Sequence, residues 1–85
     1  MAKYRIELKK SVLKDLAKVP KKDVKRIMAA IESLGTDPRP PQSKKLSGQE
    51  RFRLRQGNHR ILYSIEDDKL IVCVVNVGDR REVYR

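Results

Sequence analysis

Polar and apolar residues alternate along the segment Arg51–Gln56, a pattern that predicts a β-strand. Successive side chains on a strand point to opposite faces, so Phe52 and Leu54 are expected to face a core. The opposite face then carries three guanidinium groups, those of Arg51, Arg53 and Arg55. A guanidinium presents a planar fork of donors that suits phosphate, so this face of the predicted sheet is a candidate anion-binding surface.

Two more strands are predicted after this one, at His59–Glu66 and Lys69–Val77. Short turns at Gly57-Asn58 and Asp67-Asp68 separate the three strands, which indicates antiparallel hairpins. The last strand is apolar almost throughout, so we expect it at the centre of the sheet with both of its faces covered.

The first half of the chain predicts one strand, Tyr4–Leu8, followed by two helices. Ser11 is the expected N-cap of the first helix, and Pro20 is expected to end it. Gly35 should end the second helix, and the proline-rich segment Thr36–Ser43 should form a loop. The apolar residues of the two helices recur at helical spacing: Val12, Leu13, Leu16 and Ala17 in the first, and Val24, Ile27, Met28, Ile31 and Leu34 in the second.

These elements follow the order β-α-α-β-β-β, which predicts an α+β fold: a helical hairpin packed on one face of a mostly antiparallel four-stranded sheet. A chain of 85 residues is expected to form a single domain, residues 1–85. The lone cysteine, Cys73, lies in an apolar run and is expected to be a small core residue. No signal segment or apolar stretch long enough to cross a membrane is visible, so we expect a cytoplasmic protein.

Basic residues outnumber acidic ones by 21 to 11, which gives a formal net charge of 21 − 11 = +10. Such an excess predicts a polyanionic or acidic partner. Lysines of the helical segment Lys9–Arg26 form an ordinary solvated face, a surface that attracts a nucleic-acid backbone, or both. We treat Lys14 and Lys18 as candidate substrate-binding residues. Eight basic residues lie in this segment: Lys9, Lys10, Lys14, Lys18, Lys21, Lys22, Lys25 and Arg26.

The sequence contains no Ser/His/Asp set, no glycine-rich phosphate loop and no cluster of metal ligands. His59 is the only histidine, so a pair of histidines cannot act as acid and base, and a lone histidine at a strand start is more often a surface group. The remaining candidates are Arg51, Arg53, Arg55, Arg60, Arg80, Arg81 and Tyr84.

These candidates suit RNA cleavage by the strand's own 2′-hydroxyl. That reaction requires loss of the 2′ proton, stabilisation of charge on the pentavalent phosphate, and protonation of the leaving 5′-oxygen. Guanidiniums perform the second task, and cations near Tyr84 favour a phenolate that can transfer a proton. Tyr84 can also stack on a base. Alternatively, the arginines pair with carboxylates such as Glu50, Asp79 and Glu82, or with those of a partner, and only bind.

The segment Arg51–Tyr63, RFRLRQGNHRILY, resembles the central signature of the RelE toxins. The segment Val77–Tyr84, VGDRREVY, resembles their C-terminal signature, and the lead-in Lys45–Gly48 and the short helical hairpin also match. The resemblance covers essentially the whole chain. It implies a toxin of a type II toxin–antitoxin system, an mRNA interferase that cuts messenger RNA in the ribosomal A site without metal or other cofactor. The implied partners are the ribosome, the message and a cognate antitoxin that wraps the toxin.

The resemblance also implies roles for single residues. Arg53 and Arg60 fall at positions that stabilise the phosphate charge, and Arg80 falls where the leaving 5′-oxygen is protonated. Tyr84 matches a tyrosine that aligns or activates the RNA. Arg55 fits an additional backbone contact. We also assign Arg51 and Arg81 to substrate binding, together with Lys14 and Lys18 from the basic helical segment.

Arg51 departs from the family pattern, because the best-known RelE toxins have a lysine there that is the proposed base. An arginine keeps its proton at any ordinary pH and is a poor general base. Tyr84 or the ribosome then takes that role, or the protein is slow. A second hypothesis is a ParE-like toxin that binds and poisons DNA gyrase without catalysis, although such chains usually have a longer helical hairpin. A third is a plain RNA-binding module, which the scarcity of aromatic residues disfavours.

Overall fold

The alternating segments form strands and the apolar stripes form helices in a computed structural model, which describes residues 3–46 and 51–79. The helices are α1 (Lys10–Ala17) and α2 (Lys21–Ser33). The strands are β1 (Arg5–Leu8), β2 (Ser43–Lys45), β3 (Arg51–Gln56), β4 (His59–Glu66) and β5 (Ile71–Asp79). The α+β class and the helical layer on one face of the sheet are thereby confirmed.

The strands form one sheet in the order β1-β5-β4-β3-β2. Strand β1 runs parallel to β5, and the other neighbours are antiparallel, as the short turns predicted. The sheet has five strands rather than the expected four, because the end of the predicted loop pairs with β3 as strand β2. This strand is only three residues long and follows a proline-rich stretch, so its own sequence carries little strand signal.

Strand β5 is an inner strand of the sheet, as expected, because it lies between β1 and β4, although β4 occupies the middle position. It begins later than expected, since Leu70 has a φ of 55° and belongs to the preceding turn. Tyr63 pairs with Val74 and Leu62 pairs with Asn76, so Val75 is an extra residue in the ladder. This bulge keeps Val74 and Val77 on the face that the helices cover.

Cys73 is not a core residue, contrary to the prediction from the sequence. Val72 and Val74 are fully buried beneath the helices, and Cys73 between them points to the opposite face, where it is half-buried. The apolar run therefore does not have both faces in the core. Among the described residues, the helices pack only on the face that carries Val72 and Val74.

Helix α1 begins before the expected N-cap. Its N-cap is Lys9, which makes no side-chain capping bond, and Ser11 lies in the first turn with its hydroxyl 3.4 Å from the Val75 carbonyl oxygen. The helix begins early because the Lys9 N–H donates to the Val74 carbonyl of β5. The helix therefore starts directly where β1 leaves the sheet. Pro20 separates the helices as expected, standing at the N-cap of α2.

Gly35 follows α2 at a point where two backbones approach closely. Its carbonyl accepts the Tyr4 N–H at 2.7 Å, and a Cβ at this position would lie 3.0 Å from the Tyr4 carbonyl oxygen. The glycine thus allows the end of α2 to lie against the start of β1.

One apolar cluster joins the helices to the sheet. Its helical members are Val12, Ile27, Ile31 and Leu34, and its strand members are Leu54, Ile61, Tyr63, Val72, Val74 and Val77. Tyr63 is the largest side chain that is fully buried, and its hydroxyl donates to the Pro38 carbonyl at 2.8 Å. Burial raises the pKa of Tyr63, so the hydroxyl keeps the proton that it donates.

We expect Tyr63→Phe to lower the free energy of unfolding by about 1–3 kcal/mol, because the buried Pro38 carbonyl loses its donor while the ring stays in place. Urea unfolding measures the effect. The control is Tyr4→Phe, which removes an exposed hydroxyl and should cost less. Unchanged stability of Tyr63→Phe would contradict this assignment of the bond.

Candidate nucleic-acid interface

The pairing of β3 with β4 places the predicted arginines on one face of the sheet. Arg55 lies directly opposite Arg60, and Arg53 lies two residues before Arg55 on the same strand. Residues that face each other across an antiparallel pair point to the same side. We call the surface formed by Lys44, Arg51, Arg53, Arg55 and Arg60 the basic sheet face. It is the face opposite the helices, since Leu54 and Ile61 point into the core.

The cationic residues of this face differ in how much of each is exposed to solvent. Arg51 and Arg55 are exposed, Arg53 is half-buried, and Arg60 is only 6% exposed. Arg60 is the one buried charged side chain in the described part of the chain. Burying a guanidinium is costly, and a packed one has little freedom to move. Arg60 is therefore a fixed positive charge, a property that suits the stabilisation of developing negative charge.

Two of the cross-strand pairs on the basic sheet face bring like charges together. Arg55 is directly opposite Arg60, and Lys44 is directly opposite Arg53. Like charges in such positions destabilise a sheet. A bound anion would offset this repulsion, and the planar donor forks of arginine suit phosphate in particular. The geometry thus favours a phosphate-binding surface across β2, β3 and β4.

The position of β2 depends on how the loop before it is anchored. The Arg39 guanidinium binds both carboxylate oxygens of Asp67, with N–O distances of 3.1 and 2.8 Å. The Tyr4 hydroxyl donates to the same carboxylate at 2.7 Å, and the guanidinium carbon lies 5.5 Å from the centre of the Phe52 ring. Together with the Tyr63–Pro38 bond, these contacts fix the loop that leads into β2 and hence the place of Lys44.

The same contacts shift three pKa values. Hydrogen bonds from Arg39 and then from Tyr4 lower the pKa of Asp67 from 3.8 to about 2. The hydrogen bond to Asp67 in turn raises the pKa of Tyr4 and that of Arg39. All three side chains hold the loop before β2 in place and lie away from the basic sheet face. Their pKa shifts therefore indicate a structural contact rather than a reacting group.

Lys14 and Lys18 belong to a different surface from the arginines. Lys14 is on α1 and Lys18 caps its C-terminus, in the layer that covers the other side of the sheet. The eight cations of this segment are all exposed, and none forms an ion pair with another described residue. The structure therefore shows two separate basic surfaces, one helical and one on the sheet.

Several residues singled out in the sequence lie outside the described residues: Arg80, Arg81, Tyr84, Glu50 and Glu82. Asp79 ends β5, and only its backbone is described. The sequence did not point to Lys44 or Arg39, because their roles depend on contacts with residues elsewhere in the chain. Lys44 shares a short lysine pair with Lys45, and that pair was the only local signal.

Within 3–46 and 51–79, no three His, Cys, Asp or Glu side chains are grouped so that they could hold a metal ion. Neither helix there is long and apolar enough to cross a membrane.

Comparison with known proteins shows what the chain is similar to. A family model described as "ParE toxin of type II toxin-antitoxin system, parDE" matches residues 6–84. The putative toxin RelE1 of Methanocaldococcus jannaschii is 32% identical over 87 residues, covering 98% of this chain and 97% of that protein.

Two solved structures have the same fold along nearly their whole length. The archaeal RelE–RelB complex from Pyrococcus horikoshii OT3 matches with a TM-score of 0.82 and 27% identity, covering 94% of this chain and 97% of that one. The toxin–antitoxin complex RelBE2 from Mycobacterium tuberculosis matches with a TM-score of 0.81 and 26% identity, covering 92% of this chain and 99% of that one.

The lowered pKa of Asp67 predicts a specific acid sensitivity. Its carboxylate contributes stability that is fully present above about pH 4 and is lost as the pH falls towards about 2. We expect Asp67→Asn to have a lower Tm than the wild type at pH 7, and the difference to shrink between about pH 4 and pH 2. Thermal unfolding across this range tests the prediction, with Asp68→Asn as the neighbouring control. Wild-type and Asp67→Asn curves that stay parallel throughout would contradict it.

Proposed function

We propose that this chain, which belongs to the RelE family of toxins from type II toxin–antitoxin systems, is a ribosome-dependent endoribonuclease that cuts messenger RNA and so inhibits translation. The observation that carries the proposal is the register that gathers Lys44, Arg53, Arg55 and Arg60 on one face of a sheet. A surface of this kind binds a phosphodiester and can stabilise the charge that develops on it.

In the proposed reaction, the 2′-oxygen attacks the adjacent phosphorus and the 5′-oxygen leaves, while guanidiniums rather than a metal ion stabilise the charge on the phosphate. Arg60 is buried and Arg53 half-buried, and both stabilise the pentavalent phosphate. Arg80 gives a proton to the leaving 5′-oxygen. The exposed Arg55 contacts the RNA backbone, and we assign Arg81 to binding as well.

Arg51 is not the general base in this proposal. It is exposed at the start of β3, and arginine is a poor general base because a guanidinium is not deprotonated in proteins. We therefore assign Arg51 to substrate binding and the removal of the 2′ proton to Tyr84. The phenolate of Tyr84 would be favoured by the neighbouring positive charges in the sequence.

The proposed regulatory partner is a cognate antitoxin in the same cytoplasmic compartment. The P. horikoshii structure is a RelE–RelB complex, and the M. tuberculosis structure is a toxin–antitoxin complex. With a net charge of +10, this chain would attract an acidic segment that folds on it and masks the basic sheet face. Masking would block access of RNA to the arginines.

A second candidate function is the poisoning of DNA gyrase, since the matching family model is described as a ParE toxin. The helices here have 8 and 13 residues, a shorter hairpin than is usual for ParE-like chains. This short hairpin and the gathered arginines favour the nuclease. An assay of DNA supercoiling by gyrase distinguishes the two functions.

Arg53→Ala should slow cleavage of a translated message by about 10–1000-fold, because the transition state loses a donor. The matched control is Arg5→Ala, on the same face of the sheet but at the opposite edge, where Arg5 pairs with Glu7. Primer extension in a purified translation system gives the rates. Equal rates for Arg53→Ala and the wild type, or an equal loss in Arg5→Ala, would contradict the placement of the site.

The helical cations should affect affinity rather than chemistry. In a variant with Lys14→Ala and Lys18→Ala, the negative slope of log affinity for the ribosome against log salt should become shallower by about 2, because two phosphate contacts are lost. Cleavage at saturating toxin should be unchanged, and Lys69→Ala, an exposed lysine in a turn, serves as the control. A loss of cleavage at saturation would show that these lysines belong to the reactive site.

A further inference from the structure

His59 lies between two clefts at one end of the sheet, where the turn between α1 and α2 meets the turn between β3 and β4. The larger cleft has a volume of about 260 Å³, and its lining includes Asp15, Lys18, Val19 and Pro20. The smaller has a volume of about 140 Å³, and its lining includes Asp23 and Asn58. Of the residues in 3–46 and 51–79, His59, which is half-buried, is the one that lines both.

The larger cleft lies close to the arginines, although it opens on the other side of the sheet. His59 and Arg60 are consecutive residues of β4, so their side chains point to opposite faces about 3.3 Å apart along the strand. Gly78, which lines the cleft, pairs with Arg60 in the ladder. A nucleic-acid strand that passes over this end of the sheet would therefore meet both Arg60 and the cleft.

The lining of the larger cleft suits a nucleobase. Val19 and Pro20 supply an apolar wall, and the planar ring of His59 supplies a stacking surface. The exposed Lys18 contributes a positive charge for the backbone of the same nucleotide. Aromatic and apolar walls with a few polar groups are the usual composition of a site that binds a small planar group.

Asp15 places a hydrogen-bond acceptor in this cleft. Its Oδ2 accepts hydrogen bonds from the Val77 N–H at 3.1 Å and from the Asn76 amide at 3.4 Å, which hold the carboxylate in place. Its Oδ1 makes no hydrogen bond with another described residue. A fixed carboxylate oxygen accepts from an exocyclic amino group, and cytosine N4 is a known partner of this kind. Uracil has no such group.

We propose that the cleft between His59 and Pro20 binds the base of a nucleotide flanking the scissile phosphate, and that Asp15 selects bases with an exocyclic amino group over uracil. The proposal rests on the nuclease function, because it takes RNA as the substrate. His59 stacks on the base and Asp15 accepts its amino proton. The two residues determine where the RNA is cut, while the chemistry stays with the arginines and Tyr84.

The first test varies each nucleotide flanking a cleavage site, one position at a time, in otherwise identical translated messages. At one of these positions the wild type should cut adenine, cytosine and guanine at least about 10-fold faster than uracil, the effect of one charge-assisted hydrogen bond. In Asp15→Asn the side-chain oxygen can still accept from Val77, but an NH₂ replaces the free oxygen and can donate to uracil O4. This variant should lose the preference or reverse it.

Two further variants separate selection from structure. His59→Ala should weaken the preference without abolishing cleavage, since the arginines remain. Asp23→Asn, in the smaller cleft, should keep the wild-type preference. A uniform loss of rate for all four bases in Asp15→Asn, with no change in preference, would assign Asp15 a purely structural role and overturn the proposal.

The second test does not depend on cleavage. His59 is the only histidine, so its ring signals in the NMR spectrum are unambiguous. Titration with AMP, CMP and GMP should shift these signals more than titration with UMP does, and Asp15→Asn should remove the difference. Shifts without any RNA cutting would support the base site while the nuclease function fails. RNA cutting with no base preference and no shift at His59 would overturn the base site alone.

Discussion

The register of the hairpin formed by β3 and β4 determines both the core and the basic sheet face. Leu54 lies opposite Ile61 on the helix side, and Arg55 lies opposite Arg60 on the other side. A slip of one residue would turn every side chain of a strand to the opposite face, placing arginines in the core. The two-residue turn prevents this, because Gly57 adopts a φ of 60°, which glycine tolerates and most residues do not.

The packed core supports the site through the loop before β2. Tyr63 belongs to the core and also binds Pro38, while Arg39 and Asp67 join the loop to the turn before β5. These bonds fix the strand that carries Lys44 beside Arg53. Loss of any of these bonds should change the position of β2. The stability of the fold and the affinity for RNA should therefore change together.

The sequence predicted the elements whose pattern is local. Strand β3 follows from strict alternation, β4 from an apolar run between two turns, and α2 from its apolar stripe. The sequence did not predict the features that depend on tertiary contacts. Strand β2 forms through its pairing with β3. The bulge at Val75 arises where β5 pairs with β4.

The site was only partly predictable for the same reason. The shared face of Arg53 and Arg55 follows from alternation, but the burial of Arg60 does not, because arginine is rarely buried. The Arg39–Asp67 pair joins residues 28 apart in sequence, and no local signal announces it. The roles of Arg80 and Tyr84 come from the family resemblance.

The most direct test of the central claim is primer extension on a single message in a purified translation system, with the wild-type protein added and with ribosomes present or omitted. A ribosome-dependent endoribonuclease should produce cuts within codons that appear only when ribosomes occupy the message. Continued translation of an intact message, together with inhibition of gyrase supercoiling by the same protein, would contradict it.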